Sequence, residues 1–238
     1  MKDARSRLIL ALDTPDRQTA MAALDRIAGH VGCVKVGLEL FVREGPSLVE
    51  EIHQRGERVF LDLKLHDIPN TVAGAVRSAC KLDIEMLTVH AAGGRAMLEA
   101  ARDAAGCSVS PPLLLAVTVL TSLSQEAVRD IGIQGPLSGW VEKLANLAHQ
   151  SGIPGLVASP SELPVLRRNL GTAMKFVIPG IRPPGIPSQD QARTATPSEA
   201  IRLGADFLVV GRPILRAEDP AGAADAIVAE IEAAILNR

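Results

Sequence analysis

Val59-Phe60-Leu61-Asp62-Leu63-Lys64-Leu65-His66-Asp67-Ile68-Pro69-Asn70-Thr71 runs from a strand through a turn into the start of a helix. Phe60, Leu61, Leu63 and Leu65 give its first half the composition of a buried strand. Pro69 suits the first turn of a following helix. Side chains two apart on a strand share a face, so Asp62 and Lys64 are expected to point the same way. An unpaired charge inside a barrel costs several kcal/mol, roughly, and an opposite charge offsets this only in good geometry. Folding alone rarely selects Asp-x-Lys at such a place; a reaction centre does. Taken by itself, the segment also fits an exposed strand end with an ordinary ion pair.

The same strand-then-helix unit recurs in both directions. Apolar runs at 7–13, 33–39, 84–90, 113–120, 155–159, 175–179 and 206–210 read as further strands. Helical spacing of apolar residues follows at 17–28, through Leu48, Val49 and Ile52, at 95–105, 125–131 and 137–151, from Ser161, and at Pro220–Leu236. Thr14-Pro15-Asp16 reads as a turn and cap. Strands that are apolar throughout and each followed by a helix indicate a parallel sheet covered on both faces. Eight such units favour closure into a (β/α)₈ TIM barrel, expected to form one domain over residues 1–238. The proline-rich stretch 179–187 reads as a long active-site loop.

The totals agree with a single domain of this kind. The chain has 238 residues, 47% of them apolar and 22% charged, enough for a sizeable core. A net charge of −2 argues against a general nucleic-acid or membrane surface, so any anion site is local. With no Tyr and one Trp, base-stacking platforms are not expected. Cys33, Cys80 and Cys107 lack the spacing of a disulfide or metal framework. No apolar run is long enough for a signal or a membrane span, and a cytoplasmic location is expected.

In a barrel of this class, chemistry gathers at the C-terminal ends of the strands. Asp13, Lys35, Asp62 with Lys64, His90, Thr118 and Thr121 occupy such ends. Asp13, standing before Thr14-Pro15, also fits a helix cap. Lys35 interrupts an otherwise apolar strand and is hard to explain by solvation. Alternating lysines and aspartates lower the cost of burying one another and can tune a lysine for proton transfer. A required metal is not expected, because the lysines occupy the places a cation would take. His66 and His90 read as hydrogen-bonding structural residues in preference to general bases. Val209-Val210-Gly211-Arg212-Pro213 and Pro179-Gly180-Ile181-Arg182 put glycine and arginine at the ends of the last two strands, a recurrent phosphate cradle.

Taken together these motifs resemble the orotidine 5′-phosphate decarboxylase family of the bacterial type. The resemblance rests on Leu10-Ala11-Leu12-Asp13, Lys35-Val36-Gly37, the stretch from Phe60 to Thr71, Val117-Thr118-Val119-Leu120-Thr121-Ser122, Pro179-Gly180-Ile181-Arg182 and Gly211-Arg212-Pro213, in family order over nearly the whole chain. It implies decarboxylation of orotidine 5′-monophosphate to UMP and CO₂, with neither metal nor organic cofactor. Lys64 is then implied to protonate C6, Asp62 to lie beside the substrate carboxylate, and Lys35 to hold the charge network and bind ribose, as does Asp13. Asp67, Ile68 and Thr71 are implied to reach the neighbouring subunit's site in a homodimer. Thr121 is implied to meet the pyrimidine edge. Gln191, Arg212 and the backbone of Gly211 are implied to hold the phosphate, with Arg182 on the loop that closes over it. The alternatives are a magnesium-dependent keto-sugar-phosphate decarboxylase or hexulose-phosphate synthase on the same barrel, and a nucleotide-binding barrel without catalysis. Epimerisation of the ribulose-phosphate type needs metal-binding histidines that this arrangement does not show.

Overall fold

A computed structural model describes residues 4–183 and 194–237. Its strands are β1 (Leu8–Ala11), β2 (Cys33–Gly37), β3 (Val59–Leu65), β4 (Met86–His90), β5 (Leu113–Val117), β6 (Gly155–Val157), β7 (Lys175–Ile178) and β8 (Phe207–Val210). They pair in chain order, all parallel, and β8 closes on β1 through Ile9↔Val209. Helices cover the outside, so the expected (β/α)₈ barrel is what forms.

Strand alternation sorts the core into two regions. Leu8, Leu10, Val34, Val36, Leu61 and Leu87 face outward into the helix layer. Ile9, Ala11, Cys33, Phe60, Met86, Leu115, Val177 and Val209 face inward and fill the barrel. Phe60 is the bulkiest member of this plug, and full burial of such a ring stabilises by about 1.5–3 kcal/mol relative to exposure. Two residues further along each strand, the same inward parity delivers Asp13, Lys35, Asp62, Thr88 and Gly211. The apolar plug is therefore the floor on which the polar layer stands.

Several strands are shorter than their apolar runs. Leu12 and Val119 lie past the ends of β1 and β5 yet remain buried, because residues at the barrel mouth leave the ladder without leaving the core. Apolar composition reports burial, whereas strand assignment reports hydrogen bonding. Among the described residues, three α-helices fall outside the sequence reading: Leu38–Glu44, Pro197–Leu203 and Arg212–Leu215. The first is separated from the helix Pro46–Gln54 by Gly45, whose φ of 70° suits a residue without a Cβ. The second starts on a capping box: Thr196 accepts from the Glu199 N–H, and Glu199 accepts from the Thr196 N–H. Among the described residues no helix is long and apolar enough to cross a membrane.

Candidate active site

Lys35 sits on β2 between Val34 and Val36, which face the helices, so its own side chain must enter the barrel. Its Nζ lies 3.2 Å from Asp13 Oδ1 and 3.6 Å from Asp62 Oδ2. On β3, Lys64 Nζ donates to Asp62 Oδ1 at 2.8 Å. One carboxylate thus stands between two ammonium groups. Exposure grades across the cluster, from 11% and 16% for the Lys35 and Asp62 side chains to 37% for Lys64 and 64% for Asp13. Lys35 and Asp62 lie furthest from water, and Lys64, also paired with Asp62, lies on the more open side.

Burial alone would raise the Asp62 carboxyl above its ordinary pKa. The charges of Lys35 and Lys64, with hydrogen bonds from Lys64 and Thr88, outweigh it and hold the pKa below 3.8. Asp62 is therefore an anion throughout the neutral range. Asp13 makes the ion pair with Lys35, and the cap reading belongs to Asp16, whose side chain accepts from the Thr19 N–H at 2.8 Å. The turn-and-cap assignment at 14–16 holds.

Asp62 and Lys64 do converge, by a route that simple alternation does not describe. Lys64 has φ of 50°, in the left-handed region, where a residue with a side chain costs about 1–3 kcal/mol. Pairing of β3 with β4 runs through Leu61↔Leu87 and resumes only at Leu65↔Val89. Asp62, Leu63 and Lys64 bulge out opposite Thr88 alone, and such bulges re-aim side chains beside active sites. Thr88 Oγ1 accepts from the Lys64 N–H at 2.8 Å and donates to Asp62 Oδ1 at 3.0 Å. Thr88 did not stand out in the sequence, since a lone threonine in an apolar strand carries no charge that demands a partner.

A cavity of about 150 Å³ opens over this layer. Lys35, Asp62 and Lys64 line one wall, Phe60, Val157, Val177 and Val209 the floor and far side, and Thr121 and Pro179 the rim. A larger cavity of about 640 Å³, lined by Ser161, Thr194, Glu199 and Arg202, contains neither lysine. Thr121 therefore belongs to the charged site. Thr118 does not: Val117 and Val119 line the cavity, while Thr118 between them is buried, its hydroxyl without a hydrogen-bond partner among the described residues.

The phosphate-side residues are also placed. Gly211 follows β8 beside Ala11, and a Cβ there would come within 3.2 Å of the Ala11 Cβ and 3.7 Å of Asp13 Oδ2. Arg212 follows on the first turn of Arg212–Leu215. Arg182 is half-buried after β7; its N–H donates to the Ala195 carbonyl and its Nη1 to the Ile181 carbonyl. Gln191 lies outside the described residues. Asp67 and Ile68 are exposed just before the helix Pro69–Cys80, and Thr71 is exposed on its first turn. Within one chain, Asp67 accepts from the Ile68 N–H, and among the described residues it makes no hydrogen bond or ion pair to the lysine cluster.

His66 and His90 stack at the rim, with ring centroids 5.2 Å apart and planes within 19°. His90 Nδ1 accepts from the Ala92 N–H at 3.4 Å, the structural role expected of it. Burial, then the charges of His66 and Lys64, lowers the His90 pKa below 6.5. The unfolded chain then takes up the proton first, so stability is full above pH 6.5 and falls as pH drops below it. Thermal melts at pH 7.5 and 5.5 should show a drop that His90→Gln reduces by about 1–3 °C. An unchanged drop would separate His90 from the acid sensitivity.

A model of the family described as "Orotidine 5'-phosphate decarboxylase / HUMPS family" matches residues 6–227. The chain belongs to that family. Among relatives within the orotidine 5′-phosphate decarboxylase / HUMPS family, the orotidine 5′-phosphate decarboxylase of Syntrophotalea carbinolica is 51% identical over 239 residues, covering 98% of each chain. That of Moorella thermoacetica is 48% identical over 235 residues, or 96% of this chain and 93% of its own. The crystal structure of the Lactobacillus acidophilus orotidine 5′-phosphate decarboxylase matches with a TM-score of 0.85 at 39% identity, over 94% of this chain and 98% of that one. The resemblance read from the motifs and the architecture thus meet in one family.

Proposed function

We propose that this protein decarboxylates orotidine 5′-monophosphate to UMP and CO₂, the last step of pyrimidine nucleotide synthesis, using its own side chains and no cofactor. The observation that carries the proposal is the Lys35–Asp62–Lys64 chain of contacts at the mouth of the barrel, open to a cavity on the Lys64 side. Membership in the family and the names of its close relatives support it.

In this reading the C6–carboxylate bond breaks, CO₂ departs, and the bonding electron pair stays on C6. Lys64 stabilises that pair as it develops and gives C6 a proton, after which water restores the lysine. A cation that interacts more strongly with the transition state than with the substrate accelerates the step. Asp62 stands beside the departing carboxylate and holds Lys64; Lys35 and Asp13 take the ribose hydroxyls. Gly211, Arg212 and Gln191 hold the phosphate, Arg182 lies on the loop that closes over it, and Thr121 meets the pyrimidine edge. The lysines themselves provide the positive charge that a metal would otherwise bring to this wall.

The same reading makes the working unit a homodimer in the cytoplasm. Leu38 and Val42 are 59% and 76% exposed on one face of Leu38–Glu44, after β2, and Ile68 is 67% exposed after the adjacent β3. Ile68 adjoins Asp67 in the chain, and Asp67 then serves the neighbouring subunit's cluster together with Ile68 and Thr71. Mixing inactive Lys64→Ala and Asp67→Asn subunits should restore roughly a quarter of wild-type activity, since half the dimers are hybrids with one intact site. No recovery after verified subunit exchange would show that each chain builds its site alone.

The reaction itself is tested by following the loss of orotidine 5′-monophosphate absorbance in EDTA. Rapid loss with release of CO₂ is expected. Inertness towards this nucleotide, with magnesium-dependent turnover of a keto-sugar phosphate, would replace the proposal by the sugar-phosphate alternative. Nucleotide binding without CO₂ release would replace it by a binding barrel.

A further inference from the structure

We propose that Thr88 is a positioning residue for this reaction: its hydroxyl fixes both the Asp62 carboxylate and the bulged backbone that aims Lys64. This rests on the decarboxylase reading for its catalytic consequence, though the geometry stands without it. The missing ladder contacts between Leu61 and Leu65 leave the Lys64 N–H without a backbone acceptor on β4 at that point. Thr88 Oγ1 takes its place, accepting at 2.8 Å. An N–H can only donate and a carboxylate can only accept, so the hydroxyl proton has one direction to go, to Asp62 Oδ1 at 3.0 Å. The two bonds reinforce each other around a closed path, because Asp62 Oδ1 also receives the Lys64 ammonium at 2.8 Å. The Lys64 backbone, through the Thr88 hydroxyl, and the Lys64 side chain, directly, are thereby both tied to Asp62 Oδ1.

Thr88 is fully buried, so water cannot replace its hydroxyl without the barrel opening. Its position follows from the sequence of β4: Met86 faces the barrel interior, and the residue two along shares that face. Valine would have the same shape but would leave a buried N–H without an acceptor and a carboxylate without one donor. The left-handed conformation at Lys64 would then have lost the side chain that holds it, and Nζ would move relative to the reacting carbon. Displacements of this kind, of around 1 Å, cost on the order of 100-fold in rate.

The experiment compares Thr88→Val, which removes the hydroxyl, with Thr88→Ser, which keeps it. Thr88→Val should lower kcat by about 10–100-fold with KM within about threefold, since among the described residues the hydroxyl bonds Asp62 and Lys64. Thr88→Ser should stay within about threefold of wild type. In a crystal structure of Thr88→Val, Lys64 should leave positive φ or its Nζ should lose the Asp62 contact. A Thr88→Val enzyme with wild-type kcat, even with a lower melting temperature, would overturn the proposal, as would Thr88→Ser falling as far as Thr88→Val. So would a Thr88→Val crystal structure that keeps both the positive φ and the contact. A wild-type protein inert towards orotidine 5′-monophosphate would overturn the decarboxylase reading instead, and the crystallographic comparison would still decide what Thr88 holds.

Discussion

Lys64→Ala is expected to lower kcat by at least about 10⁴-fold while the protein remains folded and retains affinity for UMP. Two roles are lost together. Proton delivery by a positioned group contributes about 10²–10⁴-fold, and a charge aimed at a developing anion about 10²–10³-fold. Groups that act as one unit do not contribute additively, so the lower end of the combined range is the safe expectation. Stability should suffer little, because the Lys64 side chain is already 37% exposed and Lys35 continues to neutralise Asp62. Activity within tenfold of wild type would mean that another group supplies the proton.

Asp62→Asn has the second largest expected effect, and its signature differs. The amide keeps the shape and an oxygen for the Thr88 hydroxyl, but the charge that separates Lys35 from Lys64 is gone. Breaking a largely buried charge pair from one side costs about 3 kcal/mol, so the melting temperature should fall as well. A lysine no longer held by a carboxylate loses its aim, and kcat should drop by about 10²–10³-fold. The change in KM carries separate information. In the proposed mechanism Asp62 faces the substrate carboxylate, and if that repulsion raises the energy of the bound ground state, KM should fall with kcat. Unaltered kcat would remove Asp62 from the mechanism. Because the Asp62 pKa is held below 3.8, an acid limb in wild-type activity near pH 6 would have to come from another group.

Much of this was legible in the sequence because each signal was written in a strong physical contrast. A lysine between Val34 and Val36 has no comfortable place outside a barrel, and the structure puts it inside, against two aspartates. Apolar runs separated by helical spacing predict eight parallel strands, and eight close on themselves. Gly211 and Arg212 directly follow β8, as their order requires. The shortfalls arise where chemistry has no compositional mark. The bulge at Asp62–Lys64 is set by register between β3 and β4, a non-local property, and Lys64 is not a residue type that announces positive φ. Thr88 matters through two hydrogen bonds that only tertiary pairing creates. Thr118 shows the opposite error: parity along β5 turns it away from the cavity although it lies near a strand end. The helix Pro197–Leu203 is different again, since Thr196-Pro197-Ser198-Glu199 spells a capping box that could have been read directly.

Exchange at C6 of UMP in D₂O examines the lysine most directly, because loss of that proton is the reverse of its delivery and needs no CO₂. Proton NMR of UMP incubated with wild-type enzyme should show slow replacement of the C6 hydrogen by deuterium, and with Lys64→Ala, saturated with UMP, none above the rate without enzyme. Equal exchange by the variant, or none by an active wild-type enzyme, would contradict a Lys64-stabilised carbanion at C6.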